Sequence, residues 1–361
     1  MEIVFVYDAV YPWTKGGVER RLHEVGRRLS NEHNVKWLCV GWWGKEKRIQ
    51  EGVELIPVCK AQQLYSRGRR TIREAMIFAA SLLKKSRIKA DVIDCQVFPY
   101  LSVFPFATRK ELVLTWHEFW GDYWYEYLGK AGFFGKAVER IVAKLKARTI
   151  AVSETTRKAL ESLGIRATVI PNGVDFPRIS EIPASSEEWD VIFVGRLIRE
   201  KNLELLFDAM KLLPELNCLV VGDGPERERL SKIAPANVDF GGSLGYEEVI
   251  SMMKSSKVFA IPSRREGFGI SALEANACGL PVVTIRHQMN AVVEIAEKTG
   301  FVAEPHARDF AEKIRLALEM RREMREKCIN FAKNFDWEVI ARRLEEFYEG
   351  VHSPPNEGRA E

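Results

Sequence analysis

The sequence predicts an α/β protein built from two doubly wound domains, on three observations. The chain has 361 residues, longer than one hydrophobic core usually serves. Short β-rich runs alternate with amphipathic helical segments along it, the signature of parallel strands joined by crossover helices. The alternation breaks at 176–189, a stretch holding Pro177, Ser180, Pro183, Ser185, Ser186 and paired glutamates, and then begins again.

Taken in order, the first half offers strands at 3–7, 35–40, 53–58, 91–94, 112–116, 149–152 and 168–170, with helices at 18–29, 72–83 and 136–147 between them. The second half offers strands at 191–194, 218–221, 238–240, 258–261 and 282–284. The expected domains are therefore 1–175 and 176–340, with a last helix at about 336–351 crossing back onto the first. The tail after Val351 is polar and reads as frayed.

Hydrophobic residues make up 46% of the chain and charged residues 29%, which fits a globular protein rather than a disordered or fibrous one. No apolar run reaches the roughly 18 residues of a spanning helix. The opening residues Met1 to Asp8 have an acidic second position and no basic leader, so they read as a strand, and a cytoplasmic location is expected. The six cysteines contain no C-x-x-C and lie mostly in apolar runs, which makes them structural, and no metal site is expected.

Charge is unevenly spread. Residues 1–180 carry 30 Lys and Arg against 19 Asp and Glu, while 181–361 carry 24 against 31. The basic excess is dense over 60–89, with Arg67, Arg69, Arg70, Arg73, Lys84, Lys85, Arg87 and Lys89 around an apolar stretch at 75–80. Such a segment is either a solvated helix face or one that meets anionic lipid at the inner membrane face, or a phosphorylated acceptor.

Ligands of open α/β sheets collect where strands run into helix N-termini, so those loops hold the candidates. After the first strand, Gly16 and Gly17 open a helix, as a plain turn or as a place where backbone N–H groups approach a phosphate. The dinucleotide fingerprint G-x-G-x-x-G is absent here, which argues against a nicotinamide enzyme. After the first strand of the second half come Gly195, Arg196 and Lys201, two cations suited either to surface ion pairs or to a departing diphosphate. The next strand ends in Gly222-Asp223-Gly224-Pro225. Richest of all is the segment from Arg265 to Val283: Glu266, then the loop Gly267-Phe268-Gly269, then a helix from Ile270 that carries Glu274. Exposed amides at a helix start bind anions, and two carboxylates can read sugar and ribose hydroxyls. His117, after an apolar strand, is by itself more often a core histidine than a reactive one.

In this order and spacing the chain resembles the retaining glycosyltransferases of family 4, which have the GT-B fold. The E-x7-E pattern runs from Glu266 to Glu274 in the context E-G-F-G with a following G-x-P-V-V; Gly16-Gly17-Val18-Glu19, Ser153-Glu154-Thr155-Thr156, Pro171-Asn172-Gly173 and Gly222-Asp223-Gly224-Pro225 add to it. The resemblance implies two Rossmann-like domains with a cleft between them, the first for the acceptor and the second for a UDP- or GDP-linked sugar donor. By resemblance, Arg196 and Lys201 bind the diphosphate, and Glu274 the ribose. Glu266, with the amides of Phe268, Gly269 and Ile270, holds sugar and phosphate, Gly17 approaches the phosphate, and His117 lies near the reaction centre.

It also implies hexosyl transfer to a sugar, lipid-linked or other small acceptor by same-face displacement, with no cofactor beyond the nucleotide sugar. A nucleotide-sugar epimerase or sugar phosphorylase of like architecture, or a non-catalytic module for membrane or nucleic acid, are the rival readings. A nucleic-acid partner is not expected, because the basic residues form no reading motif. Two departures from the family stand out: 284–291 is not the small, glycine-rich stretch of many relatives, and the aromatic cluster Trp116, Phe119, Trp120, Tyr123, Trp124, Tyr125 and Tyr127 is dense. That cluster is packed core, an acceptor platform or a membrane contact.

Overall fold

A computed structural model describes residues 1–61, 65–66 and 69–352. The chain divides into two compact units, Met1–Asn172 with Glu338–Glu361, and Gly173–Trp337.

Unit one is an eight-stranded sheet: β1 (Glu2–Val6), β2 (Asn34–Gly41), β3 (Arg48–Gln50), β4 (Val53–Lys60), β5 (Val92–Gln96), β6 (Leu112–Trp116), β7 (Arg148–Ala151) and β8 (Thr168–Val169). Their order in space is β8-β7-β6-β5-β1-β2-β4-β3, with every pairing parallel except β3 with β4. All five residues of β5 and of β6 are buried, as expected of parallel strands covered on both faces. The helices are α1 (Gly17–Leu29), α2 (Ile72–Leu82), α3 (Tyr123–Leu128), α4 (Gly132–Ala143) and α5 (Glu154–Glu161).

The helix expected at 136–147 begins and ends four residues earlier, and glycine explains the shift. A Cβ on Gly132 would stand 2.4 Å from the carbonyl oxygen of Trp124, and one on Gly135 would stand 2.2 Å from the Trp124 ring. Only glycine lets the first turn of α4 lie against Trp124. Beyond Ala143, Leu145 N–H turns to Val142 O at 3.1 Å, and β7 begins at Arg148.

Most of the aromatic cluster is core. Trp116, Trp120 and Trp124 are buried in it, Phe119, Tyr123 and Tyr127 pack against it, and Tyr125 stands exposed. The cysteines are free thiols, all buried but Cys59, which is half-buried. The cationic cluster at 60–89 is described in part: Arg67 lies outside the described residues, as do the side chains of Arg69 and Arg70 and the tail 353–361.

Helix α6 (Phe176–Glu181) opens unit two, so the stretch 176–189 expected as a linker is partly helical, and the change of unit falls at Asn172/Gly173. Asp175 caps that helix by accepting from Arg178 N–H at 3.2 Å, and Pro177 sits in its first turn, so Asp and Pro here start a helix rather than break one. The six-stranded parallel sheet runs β11-β10-β9-β12-β14-β16, from β9 (Trp189–Val194), β10 (Cys218–Val221), β11 (Val238–Gly242), β12 (Ser256–Ile261), β14 (Val282–Ile285) and β16 (Gly300–Ala303). A two-stranded parallel ladder, β13 (Arg265–Glu266) with β15 (Met289–Asn290), stands apart from it. Helices α7 (Leu203–Lys211), α8 (Arg227–Ile233), α9 (Tyr246–Lys254), α10 (Ile270–Ala277), α11 (Val292–Thr299) and the 27-residue α12 (Ala307–Lys333) complete it.

Helix α13 (Trp337–His352) belongs to unit one from Glu338 onward. There Tyr348 O–H donates to Asp94 Oδ2 at 2.5 Å, His33 Nε2 lies 2.6 Å from Glu345 Oε1, and Arg343 donates to Val169 O at 3.0 Å.

Candidate functional site

In unit two the predicted residues gather at the carboxyl edge of the sheet. β9 ends at Val194, and the loop Gly195-Arg196-Leu197 leads into a helical turn, Arg199–Lys201. Three backbone bonds pin this loop to the one after β10: Gly195 N–H to Val221 O at 3.0 Å, Leu197 N–H to Asp223 O at 2.9 Å, and Glu226 N–H to Leu197 O at 3.1 Å. The loops touch backbone to backbone, which explains two glycines. A Cβ on Gly222, whose φ is +139°, would lie 1.9 Å from Gly195 O, and one on Gly224 would lie 2.4 Å from Leu197 O. Both therefore serve the packing of the loops, whatever else they touch.

The turn delivers Lys201 to Glu266, and the two form an ion pair with side chains only 14% and 18% exposed. Arg264 N–H donates to Glu200 O at 2.9 Å, tying the same two loops together. Past Glu266 the chain passes Gly267 and buried Phe268 to Gly269, whose φ of +92° caps α10. A residue with a Cβ at Gly269 would be strained and would meet Val292 Cγ2 at 2.4 Å. The first amides of α10 have no carbonyl ahead of them in the helix and carry its partial positive charge. Glu274 lies in the second turn and is buried. Arg196 is exposed at the start of the loop. The structure thus brings Lys201 to Glu266, and places Glu274 on the helix that the Glu266 loop opens.

The unusual stretch 284–291 supports this loop. Asn290, 1% exposed, donates through Nδ2 to Thr284 Oγ1 and to Ile285 O, both at 2.9 Å, and Thr284 donates to Ile261 O at 2.7 Å. Asn290 pairs with Glu266 across the small ladder, and Ala291 N–H donates to Glu266 O at 2.9 Å. Asn290 is a positioning residue that the sequence does not mark; the polar Thr284 at the end of an apolar run is the only local sign of it.

In unit one, Gly16 and Gly17 open α1. Gly16 makes room for Glu19, whose Oε2 would lie 2.4 Å from a Cβ there. On α1, buried Arg21 donates through one nitrogen to Pro171 O at 2.5 Å and to Asn172 Oδ1 at 3.1 Å. Burial lowers its pKa to about 10, so it remains a cation at neutral pH.

His117 follows β6, and its Nε2 lies 2.7 Å from Oε1 of Gln96 at the end of β5. An amide oxygen only accepts, so Nε2 carries the proton and Nδ1 keeps a lone pair. Burial, with the Arg21 charge adding to it, pushes the imidazole pKa down to about 3. His117 is therefore a neutral acceptor at the carboxyl edge, suited to a hydroxyl group. Gln96 is fully buried, and among the described residues its Nε2 makes no hydrogen bond of good geometry, though its side chain favours the charged form of Asp94. Gln96 lies two residues past the strand expected at 91–94, and its sequence context alone does not mark it as the partner of His117.

Two family models match the chain: Glycosyltransferase Family 4 over residues 15–178, and Glycosyl transferases group 1 over residues 175–335. The chain belongs to the group 1, family 4 glycosyltransferases. Among relatives of this family it is 31% identical over 212 residues to an uncharacterized glycosyltransferase of Methanocaldococcus jannaschii, covering 56% of this chain and 59% of that one. It is 29% identical over 231 residues to the phosphatidyl-myo-inositol mannosyltransferase of Propionibacterium freudenreichii, covering 60% and 59%. The matched region thus spans less than two thirds of either relative. Anabaena HepE, solved in complex with UDP-glucose, superposes with a TM-score of 0.73 at 18% identity over 96% of this chain and 99% of that one, which shows the GT-B fold. Among the described residues no helix is long and apolar enough to cross a membrane.

Proposed function

We propose that the protein is a retaining, metal-independent hexosyltransferase, moving a sugar from a UDP- or GDP-linked donor to a lipid-linked or sugar acceptor. The observation that carries this reading is the Lys201–Glu266 ion pair, set at the loop that leads into the N-terminus of α10. A donor diphosphate there meets Lys201, Arg196 and the amides of Phe268, Gly269 and Ile270. Glu266 is then shared between Lys201 and the sugar hydroxyls, and Glu274 takes the ribose. Gly195, Gly222, Gly224 and Gly267 keep the loops low enough for the nucleotide.

In the step itself the bond from the anomeric carbon to the diphosphate oxygen breaks. The acceptor oxygen bonds to the same face of that carbon, and its proton passes to the departing phosphate. Lys201 and Arg196 support the charge that grows on the leaving group, work that needs no metal ion. His117, neutral with Nδ1 free of a proton, orients a hydroxyl rather than removing its proton. The family match favours transfer over the epimerase, phosphorylase and non-catalytic readings.

HepE, at 18% identity, holds UDP-glucose, and the Propionibacterium relative is named for a lipid acceptor; both support the donor and acceptor classes proposed. A peripheral contact with anionic membrane through the basic first unit fits the same acceptor class. The test is a panel of nucleotide sugars and free nucleoside diphosphates: the true donor raises the melting temperature, and is consumed only when acceptor is present. No stabilisation by any member of the panel overturns the reading.

A further inference from the structure

Unit one also contains an apolar cavity of about 210 Å3, walled by the start of α2, the segment after β5, and α3 and α4. Ile72, Ala75, Phe98, Leu101, Trp124 and Val138 line it. Its polar atoms are largely turned away: Tyr100 O–H donates to Glu139 Oε1 at 2.6 Å, and that carboxylate also takes the amides of Trp120 and Gly121 at 2.8 Å each. What remains facing the space is carbon, unlike a sugar site, which needs hydrogen-bond partners.

Two lining residues, Ile72 and Phe134, are themselves 59% and 72% exposed, so the cavity opens to the surface between α2 and α4. Around that mouth the surface is apolar. Ile72, Met76 and Leu83 recur at steps of four and seven, on one face of α2 and the turn that continues it, and Phe134 and Ile141 recur at a step of seven on α4. Basic residues flank these stripes: Arg73, Lys84 and Arg87 beside the first, Arg140 and Lys144 beside the second. Between residues 72 and 89 the single acidic residue is Glu74, and between 130 and 148 it is Glu139, which is buried.

We infer that the cavity takes the hydrocarbon chain of an anionic membrane lipid, and that this lipid is the acceptor. Exposed apolar side chains flanked by cations on α2 and α4, with Glu126 and the Lys136-paired Asp122 the acids beside the α3 wall, match a bilayer surface of negative charge, where a chain can enter the cavity without crossing water. Chain connectivity supports the acceptor role. Phe98 follows Gln96 by two residues, Trp120 follows His117 by three, and their rings stack at 4.9 Å. Of these two rings Phe98 lines the cavity and Trp120 backs it, so the wall begins two residues past Gln96 in the chain, which is what lets one lipid place a headgroup hydroxyl at His117 and its tail in the cavity.

This inference rests on the proposed transfer reading, and the experiment separates the two. Binding of n-alkyl phosphates from four to twelve carbons to the full chain is measured below micelle-forming concentration, alongside stabilisation by UDP and GDP. Affinity should rise roughly two- to fourfold per methylene until the cavity is full. Ala75→Trp, which fills the cavity, and Ile72→Glu, an exposed change at its mouth that leaves the core untouched, should each weaken dodecyl phosphate binding at least tenfold and keep the nucleotide effect. Equal affinity for butyl and dodecyl phosphate, or wild-type dodecyl binding in both variants, overturns the chain site. So does unaltered binding of Ala75→Trp to phosphatidylglycerol vesicles without any dodecyl phosphate binding in the wild type, which would mark a docking surface only. Chain binding without any nucleotide effect would leave the site standing and sink the transferase reading instead.

Discussion

Gln96 Oε1 accepts the Nε2 proton of His117 at 2.7 Å, and this one bond leaves Nδ1 as the ring nitrogen with a lone pair. Gln96→Leu keeps the volume but removes the acceptor, freeing the ring to change tautomer. It also removes an amide nitrogen that makes no hydrogen bond of good geometry among the described residues and supports the Asp94 carboxylate less than Tyr348 and Thr115 do. Stability should therefore stay within about 1 kcal/mol of wild type, while kcat falls at least tenfold, equivalent to about 1.4 kcal/mol of transition-state support. Steady-state kinetics with a denaturant titration checks both. Equal kcat in the two proteins would remove Gln96 from any positioning role.

The same pair makes a statement about pH. The folded-state pKa of His117 is depressed from 6.5 to about 3, so below pH 6.5 the unfolded chain binds the extra proton. Stability from this group is fully present above pH 6.5 and is lost as pH falls from there toward 3. The ring is half-buried, so solvent screens part of the penalty and the slope should be shallower than one full proton. The wild type should lose stability between pH 6.5 and 4.5 more steeply than His117→Asn. The pH–rate profile should also show no inflection near 6.5. Parallel stability curves for the two proteins would contradict the assignment.

Lys201 and Glu266 depend on each other, since both are partly buried. Lys201→Met leaves Glu266 without its cation, so the double variant with Glu266→Gln should be less destabilised than the sum of the singles, by about 1 kcal/mol. Activity should behave differently. Lys201→Met and Arg196→Ala should each lower kcat by roughly 10² while leaving the fold intact, because their charge is needed mostly as the diphosphate departs. Glu274→Ala should instead raise the donor KM. A double-mutant cycle on melting temperature, with donor kinetics on each variant, tests the whole set, and additive stabilities would deny the coupling.

Much of this site was legible in the sequence because strand ends are. β10 and β6 have the bounds expected from their apolar runs, and the loops after β9 and β12 carry glycine and charge together, a combination that packing alone does not require. What stayed hidden depends on distant chain segments meeting. Nothing local says that Asn290 would fold under Glu266, or that Gly132 and Gly135 are small because Trp124 lies on them. The strand β16, next to β14, likewise has a weak pattern of its own, Gly-Phe-Val-Ala, and is recruited by its neighbour. The apolar cavity was foreshadowed only as an excess of aromatic residues, since the same rings serve as core on one side and wall on the other.

Backbone contact between the loops after β9 and β10 makes Gly222 far more sensitive than its neighbour Gly241. A Cβ at Gly222 would stand 1.9 Å from a carbonyl oxygen on a backbone of φ +139°, whereas one at Gly241 has its nearest atom at 3.5 Å, an ordinary contact. Gly222→Ala should cost about 2 kcal/mol or more, and Gly241→Ala well under half of that. Calorimetry of the two variants decides the matter, and equal melting temperatures would mean that the loops separate without penalty.

Tyr348 tests how α13 is held to unit one. Its hydroxyl donates to Asp94 Oδ2 at 2.5 Å, while Thr115 donates to Oδ1 at 2.7 Å, in a site where both residues are almost wholly buried. Burial raises the Asp94 pKa, and the bonds from Tyr348 and Thr115 oppose that rise. Tyr348→Phe keeps the ring and removes one donor, so a buried carboxylate keeps Thr115 but loses its Tyr348 bond at a cost of about 1–3 kcal/mol at neutral pH. The sign with pH follows from the proton count. Without Tyr348 the Asp94 pKa rises further, so the variant takes up its proton at a higher pH than the wild type does, and once both are protonated the lost bond matters less. The stability gap between wild type and variant should therefore be widest at neutral pH and should narrow as the solution is made acid. Urea denaturation at pH 7.5 and pH 5 measures it, and a gap that is constant, or that widens in acid, would show that Tyr348 acts through packing rather than through the Asp94 carboxylate.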